Sequence, residues 1–72
     1  MYYEVWDANS RNLLYEFETL DEALEAVREL LEVNPEPSRF DPGIIQMDEH
    51  HRGVWSAHGD ELQALLQQRP AV

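Results

Sequence analysis

The sequence predicts an α+β domain: a four-stranded antiparallel sheet with two helices on one face, laid out as a degenerate ββα-ββα repeat. Three observations predict it. Residues 19–32 place Leu20, Ala23, Leu24, Val27, Leu30 and Leu31 at helical spacing, one apolar stripe that needs a sheet or a second helix to cover it. Short aromatic and β-branched runs flank two polar turns, the pattern of hairpins. The halves also echo each other. Each reads strand, polar turn opening on an aspartate (Asp7, Asp48), strand, acidic helix start and leucine stripe, with Leu20 or Leu24 matched by Leu62 or Leu66.

The first strand covers residues 2–6, with Tyr3 and Val5 on one face and Tyr2, Glu4 and Trp6 on the other. Residues 7–12 are a turn, because Asp, Asn and Ser side chains bond their own backbone and tolerate left-handed conformations. The second strand, residues 13–18, alternates Leu13, Tyr15 and Phe17 with Leu14, Glu16 and Glu18. Thr19 followed by Glu22 forms a capping box that starts the first helix, and Asp21 and Glu22 suit the positive end of its dipole. Asn34-Pro35 stops it.

Residues 34–43 hold Pro35, Pro37, Pro42 and Gly43 and read as a linker, a setting in which a helix or central strand is not expected. A third strand follows at 44–48, a second turn at 48–53 and a fourth strand at 54–58. Gly59 caps a second helix with Leu62, Leu65 and Leu66 as its stripe. Pro70 ends it, and Ala71-Val72 form a tail. The expected helix-facing core is Tyr3, Val5, Tyr15, Phe17, Leu20, Leu24, Val27, Leu31, Ile45, Met47, Leu62 and Leu66. Tyr2, Trp6, Leu14, Ile44 and Trp55 are expected on the opposite face.

At 72 residues the chain makes one small domain, spanning 1–72, with a first ββα half at 1–33, the proline-rich linker at 34–43 and a second half at 44–69. Cysteine is absent, so disulfides and cysteine zinc sites are ruled out. No apolar run approaches the roughly 18 residues of a membrane span, and no basic-then-apolar leader opens the chain. A cytoplasmic protein without membrane association is expected. Fifteen Asp+Glu against five Lys+Arg give a formal net charge of −10. Such a field repels nucleic acid, which is held by Lys and Arg on phosphates, and steers basic proteins inward.

Chemistry-bearing patterns are sparse. His50 and His51 beside Asp48 and Glu49 are weak metal candidates, because neighbouring strand residues point to opposite faces and no H-E-x-x-H spacing occurs. No metal or other cofactor is expected. Glu18, Glu22, Glu25, Glu29 and Glu32 recur at spacings of three and four, forming an acidic ridge on the first helix relieved only in part by Arg28. Ser10, Ser38 and Ser56 sit in no nucleophile elbow, and three scattered glycines build no phosphate loop. Catalysis is therefore not expected.

The residues Asp7-x-x-Ser10-x-Asn12, then Phe17-x-Thr19-x-x-Glu22-Ala23-Leu24-x-x-Val27-Arg28, then Gly59-Asp60-Glu61-Leu62, resemble a group of small uncharacterised bacterial ββα-ββα proteins. These share a hairpin, an F-x-T/S-x-x-E-A-L helix start and a closing G-x-E-L helix. The matching motifs are turn, cap and core, so the resemblance implies the fold. The segment Thr19-Leu20-Asp21-Glu22-Ala23-Leu24 after a hairpin is more distantly similar to the N-terminal domains of HicB-type antitoxins, although their Pro-Asp-Leu-Pro-Gly segment is absent here. That resemblance implies a small acidic partner of a basic ribonuclease.

The functional expectation is a non-enzymatic acidic interaction module, antitoxin-like or regulatory. It binds a basic protein through Glu22, Glu25, Glu29 and Glu32 or through a sheet face carrying Trp6 and Trp55. The alternatives are a structural homodimerisation domain and a minor metal-binding domain built on the His50/His51 turn.

Overall fold

In the computed structural model, which describes residues 1–36 and 40–68, the chain forms β1 (Tyr2–Asp7), β2 (Asn12–Phe17), α1 (Leu20–Val33), β3 (Pro42–Met47), β4 (Gly53–His58) and α2 (Asp60–Gln68). The expectations at Pro37, Pro70, Ala71 and Val72 fall outside the described residues. The strands form one sheet in the order β2-β1-β3-β4, and every neighbouring pair is antiparallel. β2 and β3 thus run in the same direction on either side of β1. A tight turn cannot join two such strands, so α1 serves as the crossover.

Local chemistry explains each turn. The Asp7 carboxylate accepts from the Asn9 N–H at 3.1 Å and the Ser10 hydroxyl at 2.9 Å. The Asp48 carboxylate accepts from the His50 and Arg52 N–H groups at 2.8 and 2.9 Å. Aspartate side chains commonly close turns in this way. Each turn also holds one left-handed residue, Arg11 (φ 60°) and His51 (φ 61°). Thr19 caps α1 by accepting from the Glu22 N–H at 3.2 Å. Its hydroxyl in turn donates to the Glu22 carboxylate at 2.9 Å, so the reciprocal bond runs through the hydroxyl.

Both helices pack on the same sheet face. Val5, Ile44 and Ala57 of the sheet meet Ala23, Leu24 and Val27 of α1 and Leu62 of α2, all essentially fully buried. Tyr3, Phe17, Leu20, Leu31, Leu65 and Leu66 pack around them. The two helices are also tied directly, because the Arg28 guanidinium on α1 donates to the Leu66 carbonyl near the end of α2 at 2.8 Å.

Several sequence expectations are corrected here. Ile44 pairs with Val5 and Ala57 and lies in the core, whereas Ile45 and Met47 lie on the open face. Trp55 pairs with Gln46, which pairs with Tyr3, so Trp55 belongs to the helix-covered face. Two adjacent isoleucines carry no alternation signal, and a one-residue change of phase exchanges the faces of the whole strand. Tyr15, expected in the core, is 52% exposed at the sheet edge. The β1–β2 register shifts between Val5 and Trp6, so Leu13 pairs with Trp6 and Leu14 is the extra bulge residue. β3 begins inside the expected linker, at Pro42. A proline is tolerated as the first residue of a strand. Phe40, also from the linker, is buried at 5% exposure.

Gly59 sits where the chain leaves β4 for α2. Its carbonyl accepts the Gln63 N–H at 3.0 Å and its φ is +59°. A Cβ there would meet nothing within 4 Å, so the glycine is required by conformation alone. Gly59→Ala is expected to destabilise the domain by about 1 kcal/mol and to lower the melting temperature by roughly 4–8 °C in a calorimetric scan.

Candidate interaction surface

The structure separates the residues that sequence reading grouped for partner binding. Glu25, Glu29 and Glu32 are exposed along α1. Glu22 shares that side but is engaged with Thr19 in the helix cap. Glu25 accepts from the Arg28 guanidinium at 3.3 Å, a pair whose glutamate side chain is 52% exposed. Trp6 lies on the open face and Trp55 on the helix face, so no surface joins the two tryptophans. The Trp6 indole N–H instead donates to Glu4 on its own face at 3.0 Å.

What the fold brings together is a groove between α1 and the outer strand β2. Tyr15, Phe17 and Ala26 supply its apolar surface, and Glu22, Glu25 and Glu29 supply its rim. The two rings are 6.0 Å apart between centroids and inclined at 41°. β2 has a neighbour on one side only, so the backbone groups along its outer side are unpaired within the sheet. Aromatic faces beside carboxylates favour a cation, through the ring quadrupole and through direct charge. Sequence reading found the glutamates and missed the groove. Tyr15 looked like a core residue by alternation, and only the strand order shows that β2 is an edge.

The open sheet face is a second apolar surface, with Tyr2, Trp6, Ile45 and Met47 all half-buried. It is electronegative as well. The Tyr2 phenol is pushed above its ordinary pKa by partial desolvation and then by the Glu4, Glu16 and Asp48 carboxylates. The Tyr2 hydroxyl lies 3.0 Å from His51 Nδ1.

The weak metal candidates do not converge. Asp48 is occupied by the turn backbone and by the Arg52 guanidinium at 3.2 Å. His50 faces Glu49 at 3.9 Å, and His51 faces Tyr2. Among the described residues no group of three or more His, Asp or Glu side chains has the geometry to hold a metal ion. The third histidine, His58, places Nε2 2.9 Å from Asp41, tying the end of β4 to the segment that leads into β3. No described helix is long and apolar enough to cross a membrane.

No protein-family model, curated protein or solved structure matches the chain.

Proposed function

We propose that the chain is a non-enzymatic acidic interaction module that takes a basic protein segment along the β2–α1 groove. An antitoxin-like or regulatory role toward a basic protein is the concrete form of this reading, in keeping with the more distant of the two sequence resemblances above. The observation that carries it is the juxtaposition of Tyr15 and Phe17 with Glu22, Glu25 and Glu29 beside a strand edge. A partner's extended segment can add to β2 by backbone hydrogen bonds while its Lys or Arg side chains lie over the rings and between the carboxylates. The net charge of −10 steers such a partner in.

The test is titration of a fluorescent peptide alternating lysine with apolar residues. Glu25→Lys/Glu29→Lys is expected to weaken binding by about tenfold or more, the equivalent of roughly 1.4 kcal/mol. Asp60→Lys/Glu61→Lys, which changes the net charge equally on the other helix, is expected to change it by less than about threefold. Raising the salt should weaken binding to the unmodified chain as the charges are screened. Equal losses in the two double variants would mean that only net charge attracts the peptide, and the groove would play no part.

A further inference from the structure

A strand added to β2 has two faces, and only one of them meets the groove. On the helix-covered face its side chains lie beside Tyr15 and Phe17, which pair with Val5 and Tyr3 of β1. On the open face they lie beside Glu16, an exposed residue directly opposite half-buried Glu4. Like charges directly opposite one another in an antiparallel pair are destabilising. The strands supply no cation to relieve this pair, because none of the four carries a Lys or Arg. Glu4 receives only a neutral donor, the Trp6 indole N–H. The arginines nearest in sequence are placed elsewhere. Arg11 lies in the turn at the other end of β2, and Arg28 on α1 is bonded to Glu25 and to the Leu66 carbonyl.

The bulge narrows the edge. The β1–β2 register is regular from Tyr15 to Phe17 and shifts at Leu14. Tyr15, Glu16 and Phe17 therefore form the straight part of the edge, with one carboxylate on the open face between two rings on the other. Side chains of an added strand alternate between the faces as those of β2 do. The residue that neighbours Glu16 is thus flanked, in its own chain, by the residues that neighbour Tyr15 and Phe17.

We propose that Glu16 is a specificity-determining residue of this edge, selecting a partner strand with consecutive Lys or Arg residues. One cation lies beside Glu16 on the open face. Its neighbours lie over the Tyr15 and Phe17 rings, among Glu22, Glu25 and Glu29, on the helix face. The inference rests on the β2–α1 groove being the docking site. An amphipathic strand with all its cations on one side meets only the helix-face carboxylates and leaves the Glu4–Glu16 repulsion in place. A neutral or acidic strand is disfavoured, because pairing crowds Glu16 without a counter-charge. A second copy of this chain is disfavoured for the same reason. Two β2 edges brought together would place two Glu16 residues and two acidic α1 ridges at one interface.

Two end-capped fluorescent peptides of identical composition and charge test the proposal by anisotropy at low salt. Thr-Lys-Thr-Lys-Thr-Lys-Thr places every lysine on one face of a strand, and Thr-Thr-Lys-Lys-Lys-Thr-Thr places them on both. The unmodified chain is expected to bind the second peptide at least about fivefold more tightly. Glu16→Gln should weaken the second peptide and leave the first unchanged, bringing the two dissociation constants within about twofold of each other. Its melting temperature should not fall, because the variant removes a like-charge pair, and circular dichroism melts check this. Glu61→Gln removes one charge from the other helix and should leave the preference intact. Equal affinities for the unmodified chain, or a preference that persists in Glu16→Gln, would overturn the proposal. Equal affinities that Glu25→Lys/Glu29→Lys still weakens would overturn it alone and leave the groove reading standing. Failure of both peptides to bind would overturn both.

Discussion

Ile44→Ala is expected to destabilise the domain by about 2–5 kcal/mol, while Ile45→Ala costs under about 1 kcal/mol. The two residues are neighbours of identical chemistry. Ile44 is completely buried between Val5 of β1 and Ala57 of β4, beneath the helices. Ile45 lies on the open face, half-exposed, opposite Glu4 and Ser56. Removing three carbons at Ile44 loses the transfer free energy of those atoms and leaves a cavity that fixed strands on both sides cannot close. The same change at Ile45 returns a partly wetted surface to water. A domain of this length holds only about 4–11 kcal/mol in total. Ile44→Ala therefore removes a large share of its stability, and chemical denaturation followed by circular dichroism reads the difference directly. Equal effects at the two positions would mean that β3 has the opposite phase.

Asp7→Ala is expected to lower the melting temperature by roughly 5–15 °C, through loss of several hydrogen bonds at one point. Asp7 is the one buried charged residue among the described residues, at 9% exposure. Besides the turn bonds to Asn9 and Ser10, it accepts the Asp41 N–H at 3.1 Å, while the Ala8 N–H donates to the Asp41 carbonyl at 2.8 Å. The first hairpin and the returning segment are thus stitched together beside buried Phe40. The same bonds, led by that from the Asp41 N–H, hold the Asp7 carboxyl below its usual pKa. A lowered folded pKa gives stability that is fully present above the ordinary aspartate range, near 4. That stability is lost as pH falls through the folded value.

Asp7→Asn separates charge from geometry. The amide oxygen can keep the Asn9 and Asp41 bonds, and the amide nitrogen can donate to Ser10. The variant should be less stable than the original at neutral pH. The gap should narrow as pH drops below about 4, because the aspartate is then being neutralised as well. Thermal melts from pH 7 to pH 2 follow the convergence. A constant gap across that range would assign the bonds no help from charge. Asp48 has its pKa lowered in the same way, chiefly by the Arg52 N–H, so the Asp7 variants retain an acid dependence of their own.

The acidic ridge and the groove differ in how far they could be read beforehand. Glutamates spaced by three and four on an amphipathic helix must share its solvent side, and periodicity alone says so. The partner of that ridge was invisible, because it consists of Tyr15 and Phe17 on a strand whose edge position follows from the order β2-β1-β3-β4. The supposed tryptophan patch failed for a related reason. Trp6 and Trp55 are far apart in sequence, and their shared face depended on the phase of β3, which lies between them in the sheet.

Local interactions determined what the sequence by itself could fix: six elements, the Thr19 cap, the two aspartate-closed turns and the apolar stripe of α1. Each involves residues within a few positions of one another, so spacing and residue type suffice. The tertiary structure alone decided the strand order, the β1–β2 and β3–β4 bulges, the burial of Ile44 over Ile45 and the recruitment of Phe40 and Pro42 from the linker. These depend on pairings between distant residues. Between two adjacent isoleucines, only the register against β1 and β4 selects which one is buried.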